Sequence, residues 1–163
     1  MKKYILILSM LYSISLLQAQ ENNSDYKYWM TWGLMWINED ISGNLSYSFS
    51  ISDNFYKVGW LIQDKFNPFG GSFETAELNS IGVSIGKRFQ NEWWHAAIFA
   101  GPSYVFGENK VREKYDTIGL QTDIQLLFRF ANEIGIGVGL WGNANFEKSR
   151  AGINVNITID NGK

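Results

Sequence analysis

Residues 44–52 read Asn-Leu-Ser-Tyr-Ser-Phe-Ser-Ile-Ser (NLSYSFSIS), with a large apolar side chain at every second position and serine between. Successive side chains of a strand point to opposite faces, so this segment has one apolar and one hydroxyl face. An apolar face turned to a protein core makes a soluble sheet, and the same face turned to lipid makes a membrane barrel. The chemistry of the other face decides. Ser80, Gly82, Ser84 and Gly86 alternate with Ile81, Val83 and Ile85, and Gly135, Gly137 and Gly139 alternate with Ile134, Ile136, Val138 and Leu140. Gly152, Asn154, Asn156 and Thr158 likewise face away from Ile153, Val155, Ile157 and Ile159. A water-washed face carries Lys and Glu, which solvate it and protect its edges. Small uncharged groups instead suit the crowded interior of an eight-stranded barrel. The bulky set, with Leu45, Tyr47, Phe49, Ile51, Trp60, Trp94, Phe128 and Phe130 in it, is left for lipid.

The same alternation predicts eight strands: Tyr26–Ile37, Asn44–Ser52, Phe55–Gln63, Asn79–Phe89, Trp93–Phe106, Thr117–Phe130, Ile134–Phe146 and Arg150–Ile159. Most are longer than the usual strand of a soluble sheet and match the roughly 9–11 residues needed to cross a membrane. Asp53-Asn54, Gln90-Asn91-Glu92 and Ala131-Asn132-Glu133 read as tight hairpin turns. The connections 38–43, 64–78 and 107–116 are longer, with a shorter one around 147–149. Alternation of short and long connections is expected of an up-and-down barrel with periplasmic turns and extracellular loops.

The chain opens MKKYILILSMLYSISLLQAQ, in which two lysines precede an apolar stretch from Tyr4 to Leu17. This is the layout of a secretory signal, cut near Ala19, and the stretch is short for a membrane anchor, which needs about 20 apolar residues. Residues 20–163 then form one domain. Cysteine is absent, which excludes a lipid-modified N-terminal cysteine and any disulfide. The formal charge is −2, and losing Lys2 and Lys3 makes the mature chain more acidic still, so nothing points to nucleic acid.

Aromatic residues are 16% of the chain and gather near strand ends. Tyr26, Tyr28, Phe55, Tyr56, Phe89, Trp93, Trp94, Phe128 and Phe130 fall at the periplasmic ends, and Trp36, Tyr104, Phe106, Trp141 and Phe146 towards the opposite ones. Two such belts are expected at the two headgroup levels. With stretches such as IGVSIGKRF and AAIFAGPSYVFG, the chain resembles the small eight-stranded outer-membrane β-barrel proteins of Gram-negative bacteria, the OmpX and OmpA-transmembrane type. The resemblance covers Tyr26–Ile159 and implies an all-β, eight-stranded antiparallel up-and-down transmembrane barrel. Such barrels usually close on a C-terminal aromatic residue, and this chain departs from that by ending ITIDNGK.

Candidate functional residues lie on the inner face and on one loop. Lys27, Lys57, Arg88 and Arg129 project inward near the periplasmic ends, joined by His95, and Asp123 is the inward acid beside Gln121 and Gln125. Two arrangements are open: a basic vestibule that attracts anions, or a plug in which Asp123 and turn acids such as Glu92 and Glu133 neutralise the cations. The plug fits an interior that side chains just fill. Lipid-modifying barrel enzymes pair His with Ser near the outer surface, whereas His95, the only histidine, sits at the other end. Phe66, Phe69 and Phe73 on the 64–78 loop are a possible contact patch for a protein or glycan. The sequence thus points to a non-enzymatic outer-membrane protein, structural or presenting its loops to a partner, monomeric, without cofactor or metal. A narrow pore for small solutes or anions is the alternative, and a lipid-modifying enzyme the second.

Overall fold

A computed structural model describes residues 27–37, 40–52, 54–63, 77–108, 114–131, 133–147 and 149–161. Eight strands follow one another: β1 (Tyr28–Ile37), β2 (Asp40–Ile51), β3 (Asn54–Gln63), β4 (Glu77–Gln90), β5 (Trp94–Glu108), β6 (Lys114–Arg129), β7 (Ile134–Asn145) and β8 (Arg150–Asp160). Each pairs antiparallel with its sequence neighbours, and β1 closes on β8 from Trp29↔Asp160 to Ile37↔Gly152. Closure removes the sheet edges, so neither terminal strand is left with a row of unpaired backbone groups.

The ladders correct the connections. The β1–β2 register runs to Ile37↔Asp40, so residues 40–43 belong to β2 and only Asn38 and Glu39 separate the strands. The β5–β6 register runs to Glu108↔Lys114, which shortens that connection to 109–113. One connection at this end, 64–76, is long, and the expected alternation of short and long does not hold. Residues 40–43 extend the hairpin despite their turn-forming side chains, because the ladder with Leu34–Ile37 satisfies their backbone groups. We call this the loop end; the opposite, terminal end carries Lys27, Asn161 and the turns near Ser52, Asn91 and Ala131. Ser52 has φ 54°, the left-handed conformation that a two-residue hairpin turn demands.

The two faces separate as the alternation requires. Val83 is 53% exposed and its neighbour Ser84 3%. Outward positions are mostly apolar, with Leu34, Ile51, Val58, Ile85, Ile98, Ile124, Val138 and Ile153 all exposed. Outward rings stack at both ends: Tyr28, Tyr47, Phe49 and Tyr56 form a chain with centroids 5.8–6.2 Å apart, and Trp93 meets Phe128 at 5.9 Å. Tyr104 stacks on Phe106 at 5.5 Å towards the loop end. Offset aromatic pairs of this kind add modestly to the area they bury.

Two expectations about the inner face are overturned. It is not lined by small polar groups alone: Met35, Ile37, Leu61, Leu78, Val105 and Trp141 form a buried cluster towards the loop end, with Tyr115 against it. Trp29, Ala97, Phe99 and Leu127 form a second towards the terminal end, with Phe55 against it. Trp141 and Phe55, expected in the outer belts, therefore point into the lumen. The physical reason lies in the glycines across from such residues. A side chain at Gly86 would overlap Phe99, and one at Gly137 would overlap Leu127. Glycine on one strand makes room for a bulky residue on the next, as close packing requires. This complementarity is invisible within a single strand.

Candidate functional site in the barrel lumen

The inward-facing charges sort into two groups. In the first, Lys57 of β3 donates to Asp123 Oδ2 of β6 across the lumen, with both side chains almost wholly buried. The Lys57 ammonium also lies 5.6 Å from the ring centre of Phe99. The second Asp123 oxygen has no hydrogen-bond partner among the described residues.

The second group is built on Asp160, at the end of β8. Its Oδ2 accepts from Arg88 Nη2 of β4 at 2.7 Å and from Arg129 Nη2 of β6 at 3.0 Å. Arg88 Nη1 adds a longer contact of 3.4 Å to Oδ1. His95 Nδ1 of β5 is 3.1 Å from the same Oδ2 and 3.0 Å from Arg88 Nη2. Trp29 of β1 supports the arrangement: its ring centre is 4.6 Å from the Arg88 guanidinium carbon and 5.2 Å from that of His95, and its indole N–H donates to Gln125 Oε1 at 3.2 Å. A buried guanidinium is tolerated only when paired and hydrogen-bonded, and a planar fork over an aromatic face satisfies both demands at once. Main-chain bonds fasten the same corner: Asp160 N–H donates to Glu133 O at 2.8 Å, and Asn161 bonds Tyr28 through both backbone and side chain.

The sequence-selected residues thus fall apart into a pair and a cluster. Lys57 and Asp123 meet; Arg88, His95 and Arg129 meet elsewhere; Lys27 bonds Ser50 through its backbone at the rim. The neutralising acid of the cluster is Asp160, not Glu92 or Glu133, whose side chains are exposed. Sequence pattern misses Asp160 because ITID reads as a strand's end followed by a polar tail. Its phase is nevertheless legible, since it continues the inward series Asn154, Asn156, Thr158. Phe66, Phe69 and Phe73 lie outside the described residues.

Elsewhere in the lumen, side chains bridge strands. Gln121 Nε2 donates to Ser84 Oγ at 2.8 Å, Asn143 Nδ2 to Ser103 Oγ at 2.6 Å, and Thr31 and Ser46 share a hydroxyl bond of 2.7 Å. A cavity of about 30 Å³ lies among Met35, Leu61 and Trp141 on one side and Lys57, Asp123 and Gln125 on the other. Chemically, this lumen holds permanent charges in place. His95 directs Nδ1 at the cluster, and its Nε2 has no hydrogen-bond partner among the described residues.

No protein-family model matches the sequence, and no curated protein matches it either. Solved structures do. The chain is similar to the N-terminal β-barrel domain of Pseudomonas aeruginosa OprF, with a TM-score of 0.67 at 9% identity over 82% of this chain and 96% of that one. It is similar to Yersinia pestis Ail in a phospholipid bilayer nanodisc, with a TM-score of 0.56 at 12% identity over 83% of this chain and 99% of that one. A major outer membrane protein of Thermus thermophilus scores 0.56 at 9% identity, over 83% and 99%. At these identities it is the fold that is shared, and the closed antiparallel ladder agrees with it: this chain has the fold of the eight-stranded outer-membrane β-barrels.

Proposed function

We propose that this protein is a non-enzymatic outer-membrane barrel with a closed lumen, which acts through the surface it presents at its loop end or as a structural element of the envelope. The observation that carries this is the filled interior. An apolar cluster stands towards each end, two ionic groups tie opposite walls together, and the pocket between Lys57, Asp123 and Trp141 measures about 30 Å³. That is space for about one or two waters, far from a solute path.

Membrane residence is supported by the outward face, since apolar side chains continuous around a barrel need an apolar solvent. The outer-membrane origin of the structural neighbours agrees with that location. Export would use the leader that ends near Ala19, and the 64–76 connection with Phe66, Phe69 and Phe73 would offer a protein or glycan partner its apolar contacts.

Planar-bilayer recording on the purified, folded protein tests the closed lumen. A silent bilayer is expected, with folding verified by the shift between unboiled and boiled forms on a gel. Sustained discrete conductance would overturn the reading in favour of a narrow pore, and anion selectivity would then implicate the inward cations.

A further inference from the structure

We infer that the terminal mouth of the barrel is an oxyanion-binding site, in which Arg129 and Lys27 take a carboxylate or phosphate group. A charge imbalance carries this. Lys57 and Asp123 neutralise each other across the lumen. At the terminal end two guanidinium groups, Arg88 and Arg129, share the single carboxylate of Asp160. His95 stands 3.1 Å from the same oxygen and carries no negative charge in either protonation state. One carboxylate leaves one guanidinium charge unbalanced, and a charge held partly out of water calls for a counter-ion.

The inner wall at this end does not supply one. Gln90 lies opposite His95, Gly135 opposite Arg129 and Phe55 opposite Ser50, so these share the inward face, and none is acidic. Lys27, whose backbone N–H and C=O both bond Ser50, adds a cation instead. Glu92 and Glu133 are exposed in the turns and form no ion pair among the described residues.

The surplus charge is also reachable. The Arg88 side chain is fully buried, whereas that of Arg129 is 19% exposed. Arg129 commits Nη2 to Asp160 at 3.0 Å, and the rest of its guanidinium makes no hydrogen bond among the described residues. Lys27 is half-buried, and its ammonium likewise makes none. A planar guanidinium presents paired N–H groups whose spacing matches the oxygens of a carboxylate or phosphate, and the flexible stem of a lysine lets its point charge follow the same group. The site is at the mouth, outside the packed interior, so it does not depend on whether the lumen conducts.

The test titrates inorganic phosphate into the full chain, folded in micelles of an uncharged detergent, and reads amide resonances. Saturable shifts are expected at Lys27 and at Gly135, the residue opposite Arg129 in the ladder. Arg129→Gln should weaken the response about tenfold or more, the worth of a hydrogen bond to a charged group. Arg129→Lys, which keeps the charge and loses the fork, should fall between the two. Lys114→Gln, at the loop end, should leave the titration unchanged. Doping the micelles with phosphatidylglycerol separates the sources: the same shifts without free phosphate assign the site to a lipid headgroup, and shifts with free phosphate alone assign it to a soluble anion. Absence of a saturable response to either in the wild-type protein would overturn the site, with no variant required. An undiminished response in the doubly substituted Lys27→Gln, Arg129→Gln protein, its folding verified by the unboiled gel form, would overturn it as well.

Discussion

The two ends of the lumen are packed by different physics. Towards the loop end the filling is apolar: Met35, Ile37, Leu61, Leu78, Val105 and Trp141 pack by contact alone. Towards the terminal end an apolar cluster around Trp29 is combined with the carboxylate of Asp160, which gathers Arg88, His95 and Arg129 from three consecutive strands. Dispersion is non-directional and tolerates repacking, while charge-assisted hydrogen bonds fix which strand faces which. The directional device lies where β8, the last strand, must meet β1, the first. Asp160 is opposite Trp29 in that ladder, and it reaches across the lumen to β4, β5 and β6.

Deleting each set of contacts separately would test this contrast. Asp160→Ala strands two guanidinium groups in the interior and should cost about 3–5 kcal/mol. The thermal transition of the folded gel form should fall, and amide exchange should accelerate first along β8 and its partners. A loss no greater than that of an exposed-residue control would mean that the cluster contributes little to closure. Leu61→Ala removes contact at the other end and should cost about 2–5 kcal/mol, depending on how far the cluster collapses. Its exchange should accelerate near 35–37, 61 and 78, leaving β8 protected at Asp160. Coincident exchange patterns for the two variants would show that the ends open as one unit.

The wall between the ends gives a third comparison. Val83→Lys places a charge on the outward face and should cost about 2–4 kcal/mol if Val83 lies at the bilayer midplane. Ser84→Ala, one residue on and facing inward, loses the bond from Gln121 and should cost only about 1 kcal/mol. Equal penalties would mean that the two faces do not meet different solvents.

Much of this is legible in the chain. The period of two in NLSYSFSIS, IGVSIGKRF and IGIGVGL assigns the faces, because neighbouring side chains of a strand cannot share one. It also places Lys57, Arg88, His95, Asp123 and Arg129 inward. The start of β2 escapes pattern because Asp40–Gly43 carry turn-forming residues, and only their pairing with Leu34–Ile37 keeps them extended. Phe55 and Trp141 share the inward phase of Lys57 and Gly139, but a ring near a strand end reads equally as a belt residue. Register sets Gly86 opposite Phe55 and Gly152 opposite Trp141, which makes room for them inside.

The sequence alone therefore determined the strand periodicity, the apolar and polar faces, and the composition of a membrane barrel, since these follow from residues adjacent in the chain. Tertiary structure alone decided which charges pair. Lys57 and Asp123 are 66 residues apart, and Arg88 and Asp160 are 72. The hydrogen-bond register of eight strands brings them together, and short-range pattern does not encode that register.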